Sequence, residues 1–151
     1  VNCSVMTDQS NQKAIIDCPR VFFSSENNVF LDAEQGIIEF DKVNFKAKLN
    51  NYGFTGNCLN EQNRNIYNLD ILILAEPINP KKDKINLPIF VLLYDFDNKL
   101  IDKQYFRVLD NLKYNDINSE FEITEVIGSL NIFSDKETNV SSITIGFVNL
   151  N

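Results

Sequence analysis

Leu87-Pro88-Ile89-Phe90-Val91-Leu92-Leu93-Tyr94, then Asp95-Phe96-Asp97-Asn98-Lys99, then Leu100-Ile101-Asp102-Lys103-Gln104-Tyr105-Phe106-Arg107-Val108 is the stretch that decides the fold. Two runs rich in β-branched, aliphatic and aromatic residues flank five residues dominated by Asp and Asn. Those two residue types tolerate the left-handed backbone of a tight reversal. The pattern predicts a β-hairpin.

Outward from it, the same period recurs. In Lys42-Val43-Asn44-Phe45-Lys46-Ala47-Lys48-Leu49 the residues Val43, Phe45, Ala47 and Leu49 share one face and the lysines share the other, as in a half-buried antiparallel strand. Arg20-Val21-Phe22-Phe23 opens the core pattern. The run from Ile66 to Ala75 is apolar at nearly every position and stops at Glu76-Pro77-Ile78-Asn79-Pro80, where two prolines remove ladder donors. It is read as a central strand, with a buried helix as the competing reading, and Lys81 to Asn86 is expected to be exposed. Ser119 to Val126, with Phe121 and Ile123 inward, and Ser142 to Leu150, with Ile143, Ile145 and Phe147 inward, complete the set. Ile127 to Asn139 is expected to hold a turn or a short helix. Neither heptads nor a long amphipathic helix intervene. The expectation is therefore all-β: an immunoglobulin- or fibronectin-III-like antiparallel β-sandwich of about seven strands over residues 18–151, behind an N-terminal tether over 1–17.

The 151 residues suit one domain, and 44% hydrophobic against 23% charged residues is a globular composition. A net charge of -7 opposes binding to phosphate backbones, so no nucleic acid is expected as a partner. No run of apolar residues is long enough for a membrane helix. The chain opens on Val1 with no basic and apolar leader, so an export signal is expected to have been removed or left out ahead of this numbering.

Cys18 lies at the first strand and Cys58 follows a turn-rich stretch, so both sit at strand edges where a cross-link could join an early strand to a later loop. Two buried free thiols are the alternative, because pairing does not follow from sequence alone. Cys3 lies in a polar leader without apolar periodicity, which makes it a poor core residue and a candidate attachment point for lipid.

Several short motifs resemble a family of uncharacterised alphaproteobacterial envelope lipoproteins. They are Cys18-Pro19-Arg20-Val21, Phe45-Lys46-Ala47, Gly56-Asn57-Cys58, Pro88-Ile89-Phe90-Val91 leading into Asp97 and Lys103, and Ile145-Gly146-Phe147. The resemblance covers residues 18 to 149 in outline. It implies an exported, periplasmic, membrane-anchored domain acylated on Cys3 and closed by a disulfide between Cys18 and Cys58. It offers no catalytic residues. Asn2 is larger than the Gly, Ala or Ser usual before an acylated cysteine.

Chemistry is constrained by the complete absence of histidine, which removes Ser-His, Cys-His and His-metal arrangements. The carboxylates Asp95, Asp97 and Asp102 bracket a turn, and Glu120, Glu122 and Glu125 follow a strand, so both sets read as solvated acids. Asp95-x-Asp97-Asn98 lacks the third ligand, glycine and distal Glu of a calcium loop. Gly53 and Gly56 read as turn residues. Tyr52, Tyr67, Tyr94, Tyr105 and Tyr114 are scattered and read as caps on the core, and Asn139-Val140-Ser141 matches a glycosylation acceptor. No catalytic residue, no metal and no cofactor is expected, nor a small-molecule ligand. The expected role is a non-enzymatic protein-interaction module and accessory subunit of an envelope membrane complex. A glycan- or calcium-binding module is the alternative.

Overall fold

A computed structural model describes residues 13–33 and 39–149. Their elements are twelve strands and one 3-10 turn, Phe40–Lys42. The strands are β1 (Lys13–Ile16), β2 (Arg20–Phe23), β3 (Val29–Ala33), β4 (Val43–Phe54), β5 (Cys58–Glu61), β6 (Arg64–Pro77), β7 (Lys84–Tyr94), β8 (Leu100–Asn111), β9 (Tyr114–Asn115), β10 (Glu120–Phe121), β11 (Thr124–Asp135) and β12 (Ser142–Phe147). The protein is all-β, as the alternation of its side chains requires.

The deciding hairpin forms where the sequence places it. β7 and β8 pair antiparallel from Lys84 opposite Asn111 to Tyr94 opposite Leu100. Its turn is closed by Asp95, whose N–H donates to the Lys99 carbonyl at 3.0 Å. The Asp95 carboxylate accepts from the Asp97 and Lys99 N–H groups at 2.8 and 2.9 Å. Asn98 takes φ +59°, the left-handed conformation that Asn tolerates.

β7 belongs to a sheet ordered β2-β12-β7-β8, and β6 is the spine of a second sheet ordered β1-β5-β6-β4-β3 with β11 along its other edge. β4 and β11 both pair with residues 69–75 of β6, which places them on opposite edges. β5 follows β4 along the same edge, so the second sheet, like the first, is four strands wide. That succession explains why twelve strands stand where about seven were expected. One long ribbon is broken into β4 and β5 by the excursion at Thr55 to Asn57, and the short strands β3 and β1 border the two pieces. All pairings are antiparallel except β2 with β12, which is parallel. β9 and β10 form a separate two-stranded ribbon.

Inward residues of both sheets meet in one core. Phe45, Ala47 and Leu49 of β4, Leu69, Ile71 and Ile73 of β6, and Leu130 and Ile132 of β11 face Ile85 to Leu93 of β7 and Ile143, Ile145 and Phe147 of β12. Each fully buried Leu, Ile or Phe contributes roughly 1.5–3 kcal/mol through surface removed from water. Tight approach is required at Gly128, where an added Cβ would lie 2.7 Å from Val108 Cγ2 and 3.2 Å from Ile71 Cγ1.

Four expectations are corrected. Lys13–Ile16, placed in the tether, pairs with β5 as an edge strand, while residues 1–12 lie outside the described residues. Ile85 is fully buried rather than exposed, because β7 starts at Lys84, three residues before the apolar run looks continuous. Ser119 to Val126 is not one strand. The short β10 is followed by a break, and Thr124 takes the first inward place of β11, accepting from the Lys113 N–H at 2.9 Å and donating to the Glu122 carbonyl at 3.0 Å. Ile123 is consequently 63% exposed. Finally, Ile127 to Asn139 contains no helix. β11 runs through it to Asp135, with Gly128 and Ser134 on the inward face, where their lack of apolar bulk hid the period of two.

Candidate functional site

Cys18 and Cys58 are joined by a disulfide with their Cα atoms 5.3 Å apart. The bridge lies just beyond the end of the β1–β5 pairing, where Ile16 stands opposite Cys58. Cys58 is buried and Cys18 lies in the exposed connection from β1 to β2. The link therefore fastens an edge strand of one sheet at the point where the chain crosses to the other. Cys3 lies outside the described residues.

Beside the bridge opens a cavity of about 700 Å³. Three connections converge there: Ile16 to Arg20, the β7–β8 turn with Phe96 and Asn98, and Lys136 to Ser141 after β11. Its floor is built from the inward ends of β6. Asn65 is buried, accepts from Asn60 Nδ2 at 2.7 Å and donates to the carbonyls of Asp135 and Thr138 at 3.2 and 3.1 Å. One amide thereby holds β5, β6 and the following loop in register. The Tyr67 hydroxyl shares a 3.3 Å hydrogen bond with Ser134 Oγ. Desolvation by burial raises the Tyr67 pKa above its usual 10.0, against the opposing pull of its hydrogen bonds with Ser134 and Asn65. A second, smaller cavity of about 440 Å³ adjoins Thr138, and there the Arg64 guanidinium lies 4.2 Å from the centre of the Phe133 ring.

The carboxylates considered for chemistry are dispersed. Asp95 is engaged by its own turn. Asp102 accepts from Gln104 Nε2 at 3.1 Å, and the same amide donates to the Phe133 carbonyl at 2.6 Å, linking β8 to β11. Glu122 accepts from Asn115 Nδ2 at 2.8 Å. Among the described residues no three His, Cys, Asp or Glu side chains are grouped to hold a metal ion. Asn139, of the glycosylation motif, is exposed on the rim of the larger cavity.

The tyrosines separate into different settings. Tyr67 is core, Tyr52 meets Phe23 edge-on at 6.0 Å, and Tyr114 meets Phe121 at 5.1 Å. Tyr94 and Tyr105 are brought together with Phe90 and Leu92 on the outer face of the β2-β12-β7-β8 sheet, where Phe90 stands opposite Tyr105. Phe90 also crosses Gly146 of β12, whose missing side chain makes room for the ring. The sequence reading places Leu87 to Tyr94 in the hairpin without assigning its outward residues, so this face is missed. The alternation Lys103-x-Tyr105-x-Arg107-x-Leu109 on β8 carries the signal that finds it.

No protein-family model, curated protein or solved structure matches the chain.

Proposed function

We propose that the protein is a non-enzymatic, periplasmic lipoprotein whose domain is an immunoglobulin- or fibronectin-III-like β-sandwich, held to a membrane through Cys3, and that it works by contact with envelope membrane proteins as an accessory subunit. The observation that carries this reading is the Cys18–Cys58 bridge, since disulfides persist where thiols are not kept reduced. Open strand edges support the role in protein contact. β1 and β3 each end the pairing order of their sheet with one edge lacking a strand partner among the described residues, and a partner's strand can add there through main-chain hydrogen bonds. The loop after β6 is less available, because the Ile78 N–H donates to the Asn44 carbonyl at 2.9 Å and the Lys81 N–H to Asn44 Oδ1 at 3.1 Å, which straps it to β4. The lack of any histidine and the engagement of Asp95, Asp102 and Glu122 in local hydrogen bonds support a role without catalysis.

Two measurements test the reading. The intact mass of natively expressed protein should show acyl chains on Cys3 and a gain of two hydrogens on reduction. Purification from solubilised membranes should recover a defined complex. An unacylated chain recovered only as a free monomer overturns the proposal.

A second reading, a glycan-binding module, is favoured by one observation: the cavity beside the bridge is lined by Asn98, Asn139 and the exposed Phe96 ring, which offer amide hydrogen bonds and a stacking surface to a hydroxyl-rich ligand. A melting temperature that rises with an oligosaccharide supports it, and an unchanged one removes it.

A further inference from the structure

We propose that the outer face of the β2-β12-β7-β8 sheet is a docking surface for an anionic lipid leaflet. Side chains directly opposite one another in an antiparallel pair share a face, so the registers fix which residues point outward. Arg20, Lys84, Lys103 and Arg107 do so, four of the chain's 14 Lys and Arg. No outward position of these four strands carries a carboxylate, in a chain with 21 Asp and Glu. The two acids within these strands, Asp102 and Asp110 of β8, are exposed but stand opposite Leu93 and Ile85 on the other side of the sheet, and Asp83, Asp95 and Asp97 lie beyond the strand ends. The opposite outer face, on the sheet of β6, is mixed: Lys46 stands opposite Glu76 in the strand register, and Asp70 accepts from Ser129 at 2.8 Å.

Between these cations the face is apolar and aromatic. Phe22 is 50% exposed, and Tyr105 and Leu109 are each 66% exposed. Arg20 extends over the Phe22 ring at 5.9 Å, and Arg107 donates to Asn86 Oδ1 at 3.0 Å, so both cations are held along the sheet rather than turned from it. Aromatic rings flanked by Lys and Arg are the side chains that settle at the headgroup level of a bilayer. Of the two cavities described above, the larger opens at the loop end and meets this face only at Arg20, and the smaller lies beside β11. Cations and rings spread over four adjacent strands suit a fluid leaflet, which needs no shape complement, better than a folded protein partner.

The net charge of -7 does not oppose this contact. Sheets pack about 10 Å apart, and the Debye length at physiological ionic strength is about 8 Å. Acids on the far sheet are therefore screened from a leaflet that touches the near one. They instead orient the domain, since only one face approaches an anionic surface without repulsion.

Vesicles of phosphatidylglycerol and phosphatidylcholine in equal parts, compared with phosphatidylcholine alone, test the inference by co-sedimentation of the unacylated full chain. Capture by the anionic vesicles only, weakening with added salt, is expected. Lys103→Glu with Arg107→Glu should lower partitioning by at least about thirtyfold. Lys46→Glu with Lys48→Glu, the same change of net charge on the other face, should leave it unchanged. All four side chains are exposed, and the comparison of vesicles and salt stands without any variant. No capture by anionic vesicles, equal capture by neutral ones, or equal losses from the two variant pairs overturns the proposal. Retention of the chain on polyglutamate with none on vesicles also overturns it and assigns the face to an acidic protein surface. Because the chain used carries no lipid and needs no partner, these outcomes are separate from acylation of Cys3 and from recovery of a complex.

Discussion

Gly128 has no room for even a methyl group, because Val108 Cγ2 and Ile71 Cγ1, both from buried side chains, occupy the space a Cβ would take. Gly128→Ala should lower stability by about 1–3 kcal/mol, the usual cost of overpacking, seen as a shifted urea midpoint with an unchanged slope. Tyr67 governs a different property. Burial holds its proton more tightly in the folded than in the unfolded chain, so the associated stability is complete below about pH 10 and is lost as pH rises through the folded pKa. Tyr67→Phe should flatten the fall of melting temperature above that pH while costing about 1 kcal/mol at neutral pH through the lost hydrogen bond to Ser134. Neither residue announces its role in sequence. Gly128 looks like a break in a pattern and Tyr67 like one of five scattered tyrosines, because what distinguishes them is supplied by neighbours remote in the chain.

Among the elements, β1 depends most on the cross-link. Its Lys13, Ala14 and Ile15 are exposed, among the described residues it pairs only with β5, and the ion pair of Lys13 with Glu61 at 3.6 Å lies at the surface. Closing the loop between Cys18 and Cys58, 40 residues apart, stabilises the fold by about 4 kcal/mol in the chain-entropy model. Reduction, or Cys18→Ser with Cys58→Ser, should lower the unfolding free energy by up to that amount. Amide exchange should accelerate first at Lys13 to Ile16, and equal protection in oxidised and reduced protein would show that the strand holds by pairing alone. At the β7–β8 turn, Asn98→Val should cost about 1 kcal/mol because a β-branched residue resists φ +59°, whereas Asn98→Gly should be tolerated. Long strands with one apolar face, β4, β6, β7 and β12, were legible in sequence. β1, β3, β5 and most of β11 were not, since β1 and β3 are short edge strands that bury little, β5 is only four residues long, and β11 alternates through glycine and serine.

For the whole molecule, a single core shared by both sheets predicts one cooperative transition. Unfolding followed by tyrosine fluorescence and by far-ultraviolet circular dichroism should coincide, and separate midpoints would mean that the sheets melt independently. The sequence by itself determined that the chain is all-β, where its strongest hairpin turns, and which residues of β4 and β12 face inward. Those follow from the period of two and from turn residues, which act over a few positions. The pairing of Cys18 with Cys58, the parallel contact of β2 with β12, the cavity beside the bridge and the gathering of Arg20, Lys103, Tyr105 and Arg107 on one face were decided only by tertiary structure. Each joins segments whose adjacency is set by the order of strands in a sheet, and that order is fixed by how the two apolar faces close on one another.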